Sequence, residues 1–169
     1  MKKRTKKLIF YVVGLAFAAT TIAFVATSGE SNPESIVYSA SALSAIESDF
    51  DFGTISMKDG DVSYGFEVKN NGSESVTIKK VYTSCMCTAA YITDGSGEKY
   101  GKFGMPGHGV IPNTGIKIGP GELALVEAIF DPAAHGPSGV GLAERSVYIE
   151  SNSAKSPKLE LKFRALVIR

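Results

Sequence analysis

Val62-Ser63-Tyr64-Gly65-Phe66-Glu67-Val68-Lys69 alternates apolar residues with small or polar ones without a break. A period of two puts Val62, Tyr64, Phe66 and Val68 on one side of an extended chain, so the stretch reads as a strand with one buried face. Asn70-Asn71-Gly72-Ser73 follows it. Asn-Gly commonly supplies the positive φ angles of a tight hairpin turn, which predicts that the chain doubles back here. Glu74 to Thr83 then returns as a strand, with Val76, Ile78 and Val81 as its apolar members.

The same rhythm extends in both directions. Upstream, Phe50, Phe52 and Ile55 flank Gly53 in a short first strand. Downstream, strands are predicted at Thr88 to Ile92, Ile116-Lys117-Ile118, Leu123 to Phe130, Val147-Tyr148-Ile149 and Leu159 to Val167. Leu123 to Phe130 carries apolar residues on both faces, as a central strand buried on both sides would. Residues 93–115 interrupt the rhythm with many glycines and with Pro106 and Pro112, and read as a long loop or an inserted hairpin. Gly119-Pro120-Gly121-Glu122 makes a turn, and Asp131 to Leu142 is another Gly/Pro-rich connection. About seven short strands with turn signals between them predict an all-β, immunoglobulin-like sandwich over residues 47–169. The chain has no Trp, so the Cys–Trp–Cys core of antibody domains is excluded.

The N-terminal part obeys different rules. Five of the 18 basic residues (Lys2, Lys3, Arg4, Lys6, Lys7) precede residue 8, and all 17 acidic residues follow residue 29. From residue 8 onward the balance is 13 minus 17, or −4. A mildly acidic body carries no electrostatic footprint for nucleic acid. Leu8 to Ala26 has no charge and is long enough to cross a bilayer as a helix. Residues 1–7 then read as a cytoplasmic basic flank and 8–26 as a transmembrane anchor or a signal peptide. The polar, turn-rich stretch 27–46 reads as a linker. Both alternatives for 8–26 put the domain outside the cytoplasm: membrane-anchored in the periplasm or cell envelope, or secreted if the signal is cleaved.

Several motifs occur together: Asp51-Phe52-Gly53, Asn70-Asn71-Gly72, Ser84-Cys85-Met86-Cys87-Thr88, Pro120-Gly121-Glu122 and Asp131-Pro132. With them the chain resembles, over about residues 48–168, a bacterial exported family of unknown function with a Ser-Cys-Gly-Cys-Thr motif. The resemblance implies an Ig-like domain of the Hydin type, a class of adhesion or scaffold modules. Met86 departs from the glycine usual in that motif, and the 93–115 segment is an addition.

Cys85 and Cys87 are the only cysteines. Three readings stay open for them. They are packing residues at a strand end. They form a disulfide, which in a Cys-x-Cys pair needs a local turn, because residues two apart in a strand stand too far apart to bond. Or they bind a soft metal, copper or zinc, with His108 or His135 as a further ligand. No other constellation supports catalysis: both histidines lie among glycines and prolines, as solvated loop residues do, and no glycine-rich stretch has the strand, lysine and helix of a phosphate loop. The sequence therefore leads to a membrane-tethered extracytoplasmic Ig-like binding or structural module with a protein partner in the envelope and no enzymatic activity. Its alternative is a soft-metal or thiol-redox protein using Cys85-Met86-Cys87.

Overall fold

Why the apolar face of Val62–Lys69 is buried is answered by a second sheet lying across it. A computed structural model describes residues 37–107 and 113–169. Ten strands run β1 Leu43–Ala45, β2 Asp49–Ser56, β3 Val62–Asn70, β4 Val76–Thr83, β5 Thr88–Thr93, β6 Lys99–Phe103, β7 Ile116–Ile118, β8 Leu123–Phe130, β9 Gly141–Ser151 and β10 Lys158–Ile168. They form two five-stranded sheets, ordered β1-β3-β8-β5-β6 and β2-β10-β9-β4-β7. All neighbours are antiparallel except β2 and β10, which run parallel. The all-β two-sheet sandwich is therefore as expected, with ten strands in place of about seven.

The core lies between the sheets. Phe66 and Val68 from β3, Val126 and Ala128 from β8 and Ile92 from β5 face Ile78 and Val81 from β4, Val147 and Ile149 from β9, and Leu161 and Phe163 from β10. Every one of these side chains is withdrawn from water, and such burial is worth about 1.5–3 kcal/mol for each large aliphatic or aromatic group.

Three expectations are corrected. The predicted hairpin at Asn70-Asn71-Gly72 does not form. β3 lies in one sheet and β4 in the other, so this segment is an arch across the end of the sandwich. Neither Asn71 nor Gly72 has a positive φ. Gly72 is required for space, because a Cβ there would fall onto Ser41. Asn70, fully buried, organises the arch: its Nδ2 donates to the carbonyls of Glu74, Ile118 and Gly119 at 2.8, 3.0 and 3.0 Å, and its Oδ1 accepts from the Gly72 amide at 3.0 Å.

Second, residues 37–46, read as linker, belong to the sandwich. Leu43–Ala45 pairs with β3, Leu43 is buried, and Ser39 bridges to Ser153. The polar composition that suggested a spacer instead serves hydrogen bonding: the Ser41 hydroxyl accepts from the Glu74 amide at 2.9 Å, and the Val37 carbonyl accepts from Asn152 at 2.9 Å. Third, β8 is the central strand of its sheet, but it is buried on one face only, with Leu123 and Leu125 left 46% and 44% exposed. Segment 93–115 does contain a hairpin, in which β6 folds back on β5.

Apart from β5–β6 and β9–β10, consecutive strands lie in different sheets. The chain therefore crosses from one sheet to the other repeatedly at the two ends of the sandwich, and one of those crossings holds the cysteines. Residues 1–7, 8–26 and 27–36, with the anchor and linker expectations placed on them, lie outside the described residues, as does His108. Among the described residues no helix is long and apolar enough to cross a membrane.

Candidate functional site

Ser84-Cys85-Met86-Cys87 is the link between β4 in one sheet and β5 in the other. A strand cannot make that crossing straight, and the chain turns: the Thr88 amide donates to the Cys85 carbonyl at 3.1 Å. The turn is pinned from both sides. The Thr83 hydroxyl donates to the carbonyls of Cys85 and Thr88 at 2.9 and 3.1 Å. Ser84 exchanges bonds with Ser146 of β9, its amide donating to the Ser146 carbonyl and its hydroxyl accepting from the Ser146 amide, both at 2.9 Å.

The turn supplies the geometry that a strand would deny. The Sγ atoms of Cys85 and Cys87 stand 2.7 Å apart with both thiols free. Cys87 is buried, Cys85 is partly open to solvent, and Met86 between them projects outward at 57% exposure.

Two further side chains reach the sulfurs. His135 lies fifty residues on, in the connection between β8 and β9. That connection is wound into successive turns. The Asp131 amide donates to the Cys87 carbonyl at 2.9 Å, Asp131 Oδ1 accepts from the Ala133 amide at 2.8 Å, and the Gly136 amide donates to the Ala133 carbonyl at 2.8 Å. Gly136 adopts φ +55°, a left-handed conformation that a residue with a side chain resists, and a short 3-10 helix, Gly136–Gly139, follows. This winding sets His135 Nε2 3.2 Å from Cys85 Sγ. The Sγ atoms and a ring nitrogen of His135 all lie within 4.8 Å of one another.

The fourth group is Arg145. In β9 it falls on the same face as Ala143, Val147 and Ile149, the residues that face the core. An arginine at a core-facing position needs a partner, because an unpaired charge is costly to withdraw from water. It forms no ion pair with a carboxylate among the described residues. Its Nε donates instead to Cys87 Sγ at 3.1 Å, its Nη1 donates to the Glu144 carbonyl at 2.8 Å, and the guanidinium lies 5.9 Å from the centre of the Phe130 ring.

The two thiols are consequently unequal. Partial burial alone pushes the Cys85 thiol up, but hydrogen bonds from the Cys87 thiol and amide, the contact with His135 and the positive charge of Arg145 outweigh it and bring Cys85 down to about 7. Burial pushes the Cys87 thiol up, and its hydrogen bond to Cys85 adds to this, against an opposing pull from Arg145 and Thr88. The guanidinium itself is held above its ordinary value: burial would lower it, and its bonds and attraction to the two sulfurs prevail. The pair thus joins an accessible, acidic thiol to a sheltered, less acidic one.

Of the expected site residues, Cys85, Cys87 and His135 come together, and His108 lies outside the described residues. Arg145 was missed, although its signal was present. It falls on the apolar parity of Ala143-Glu144-Arg145-Ser146-Val147, where a charge is out of place.

Two surface features adjoin the site. A groove of about 610 Å³ on the outer face of the β2-β10-β9-β4-β7 sheet runs up to Ser84 and Arg145, lined by Asp49, Asp51, Tyr148 and Arg164 among others. Beside the His135 connection, Val140, Leu142, Leu166 and Ile168 stand exposed, with Leu142 directly opposite Leu166.

Comparison with known proteins gives the fold and no activity. A family model described as "Protein of unknown function (DUF1573)" matches residues 43–100, a span that includes Asp51-Phe52-Gly53, Asn70-Asn71-Gly72 and the cysteine turn. No curated protein matches the chain by sequence. Among solved structures, a protein of unknown function from Porphyromonas gingivalis W83 is similar with a TM-score of 0.56 and 15% identity, over 80% of this chain and 51% of that one. This chain therefore spans about half the length of that protein. A PapD-like domain of human CEP192 gives a TM-score of 0.47 at 16% identity, over 85% of this chain and 96% of that one.

Proposed function

We propose that this chain is an Ig-like sandwich tethered on the outer side of a bacterial membrane, and that it exchanges disulfides with proteins of the cell envelope through Cys85 and Cys87. The observation that carries the reading is the inequality of two adjacent thiols. A partly exposed sulfur with its proton weakly held is a nucleophile at neutral pH, and a sheltered sulfur in contact with it is placed to resolve what the first has attacked. The uncharged run Leu8 to Ala26 behind five basic residues supports an exported location, where disulfides form and persist.

The exchange has two steps. Cys85 gives its proton to a base, for which His135 Nε2 is placed, and its thiolate attacks one sulfur of a partner disulfide. The partner's other sulfur leaves as a thiolate and takes up a proton, and Cys85 is now joined to the partner. Cys87 then loses its proton and attacks Cys85 Sγ, 2.7 Å away, and the partner's second sulfur leaves and is protonated. Two electrons and two protons pass from this chain to the partner, and Cys85 and Cys87 end as a disulfide. A partner dithiol drives the reverse.

A mixed-disulfide trap tests this. In the full chain, Cys87→Ser blocks resolution, so envelope proteins should accumulate in reductant-sensitive adducts through Cys85. Adducts that form equally well with Cys85→Ser, or none at all, would refute the exchange.

A second reading is a purely structural or binding module, favoured by the exposed cluster of Val140, Leu142, Leu166 and Ile168. Contiguous exposed aliphatics mark protein contact surfaces. In this reading the loops 93–115 and 132–142 engage an envelope partner and the cysteines pack. Partner capture that survives replacement of both cysteines by serine, and is lost with Leu142→Asp, would favour it over exchange.

A further inference from the structure

We infer that reduced Cys85, Cys87 and His135 form a three-coordinate site for Cu(I), with Arg145 as the neighbour that balances its charge. The inference concerns the same sulfurs as the exchange reading but does not depend on it, since exchange needs no histidine ligand.

The donor set is soft. Thiolates select Cu(I) and Zn(II) over the hard cations, and an imidazole suits both. The ligands are drawn from two separate connections at one end of the sandwich, and their donor atoms lie within 4.8 Å of one another. Two bonds of about 2.3 Å at about 120° require sulfurs roughly 4 Å apart, so the pair must open from its present contact. Cys85 has room to do this, because it sits in a turn and is partly exposed, while Cys87 is fixed by burial.

Among the described residues the cluster offers three ligands, a number that serves Cu(I) and also zinc with an open position, so charge decides between the metals. Two thiolates, a neutral imidazole and Cu(I) sum to one negative charge, which the guanidinium of Arg145, bonded to Cys87 Sγ at 3.1 Å, cancels. The same ligands around Zn(II) are already neutral, and Arg145 would leave an excess positive charge in a partly buried site. The guanidinium therefore favours the monovalent ion. His135 is exposed and Cys85 is partly so, which leaves the ion open to transfer by ligand exchange.

The test uses the full chain in detergent, reduced and without oxygen, titrated with Cu(I) against a chromophoric Cu(I) chelator. One Cu(I) per chain should be held, with the ultraviolet absorption of thiolate-to-copper charge transfer, and an equal concentration of Zn(II) should not displace it. Cys85→Ser and Cys87→Ser should each abolish retention. Arg145→Gln, which removes the balancing charge without removing a ligand, should weaken binding by about tenfold or more. Failure to hold Cu(I) would overturn the inference, as would retention unchanged in Cys85→Ser or His135→Ala, or displacement by Zn(II). Two independent readouts on the unaltered chain separate the proposals: Cu(I) retention by the reduced protein, and the metal-free dithiol–disulfide equilibrium of Cys85 and Cys87 in glutathione buffers, so either can fail without the other.

Discussion

Arg145 is the residue on which the character of the site turns. A guanidinium on the core-facing parity of β9, with a cysteine sulfur as its side-chain partner, favours thiolate at both cysteines. Cys85 is the thiol whose proton is held at about 7. Because the thiolate is the reactive form, alkylation of Cys85 should rise about tenfold per pH unit below 7 and level off above it, while Cys87 lags throughout. Arg145→Met should move that midpoint upward, by less than loss of the hydrogen bonds from the Cys87 thiol and amide would. Labelling followed by intact mass across pH 5–10 reads both effects. A Cys85 profile unchanged by Arg145→Met would mean that the guanidinium only packs. His135→Ala should also shift the profile upward, since its contact with Cys85 favours the thiolate.

At the scale of elements, the alternation in Val62–Lys69 correctly marked a strand with one buried face, and the Asn70-Asn71-Gly72 turn signal misplaced its successor. Both outcomes have one physical source. A period-two pattern says that one face is buried and is silent about what buries it. Two such strands satisfy it equally by lying side by side or by facing each other across a core. The sandwich takes the second course, and the arch is stabilised by contacts remote in sequence: Asn70 to Ile118 and Gly119, and Gly72 against Ser41. Asn70→Ala should cost about 1–3 kcal/mol or more, because three carbonyls lose their donor, and Gly72→Ala about 1–3 kcal/mol through crowding against Ser41. Chemical denaturation measures both. A loss below about 0.5 kcal/mol at Asn70 would show that the arch does not rely on it. The cysteine turn was legible in the same partial way. Its residues announced a site, but which other groups join it depends on the β8–β9 connection folding back over the end of the sandwich, and only His135 was anticipated.

For the whole molecule, the described chain enters the sandwich at Val37 to Ser39, against Asn152 and Ser153 at the β9–β10 turn. The cysteines lie beside the middle of β9, where Ser84 meets Ser146 and Arg145 reaches Cys87. From Ser146 to Asn152 the strand direction covers on the order of 20 Å at about 3.3 Å per residue. A partner can thus reach Cys85 without displacing the entry segment. That segment is part of the fold, because Leu43 is buried against the core and β1 extends its sheet. Leu43→Ala should cost about 2–4 kcal/mol, and a chain starting at residue 47 at least as much, read as a lowered midpoint of thermal unfolding. Equal stability with and without residues 37–46 would restore them to the status of a linker.

The measurement that bears most directly on disulfide exchange is the redox equilibrium of the full chain in buffers of reduced and oxidised glutathione, quenched with a thiol label and weighed intact. The account predicts one cooperative two-electron transition between a form with two labelled thiols and an unlabelled form lighter by two hydrogens than the dithiol, with the single glutathione adduct appearing only when Cys87 is replaced by serine. Two thiols that stay free across every buffer, or a stable adduct on Cys85 that Cys87 never resolves, would contradict it and leave the cysteines as packing residues at the end of a sandwich.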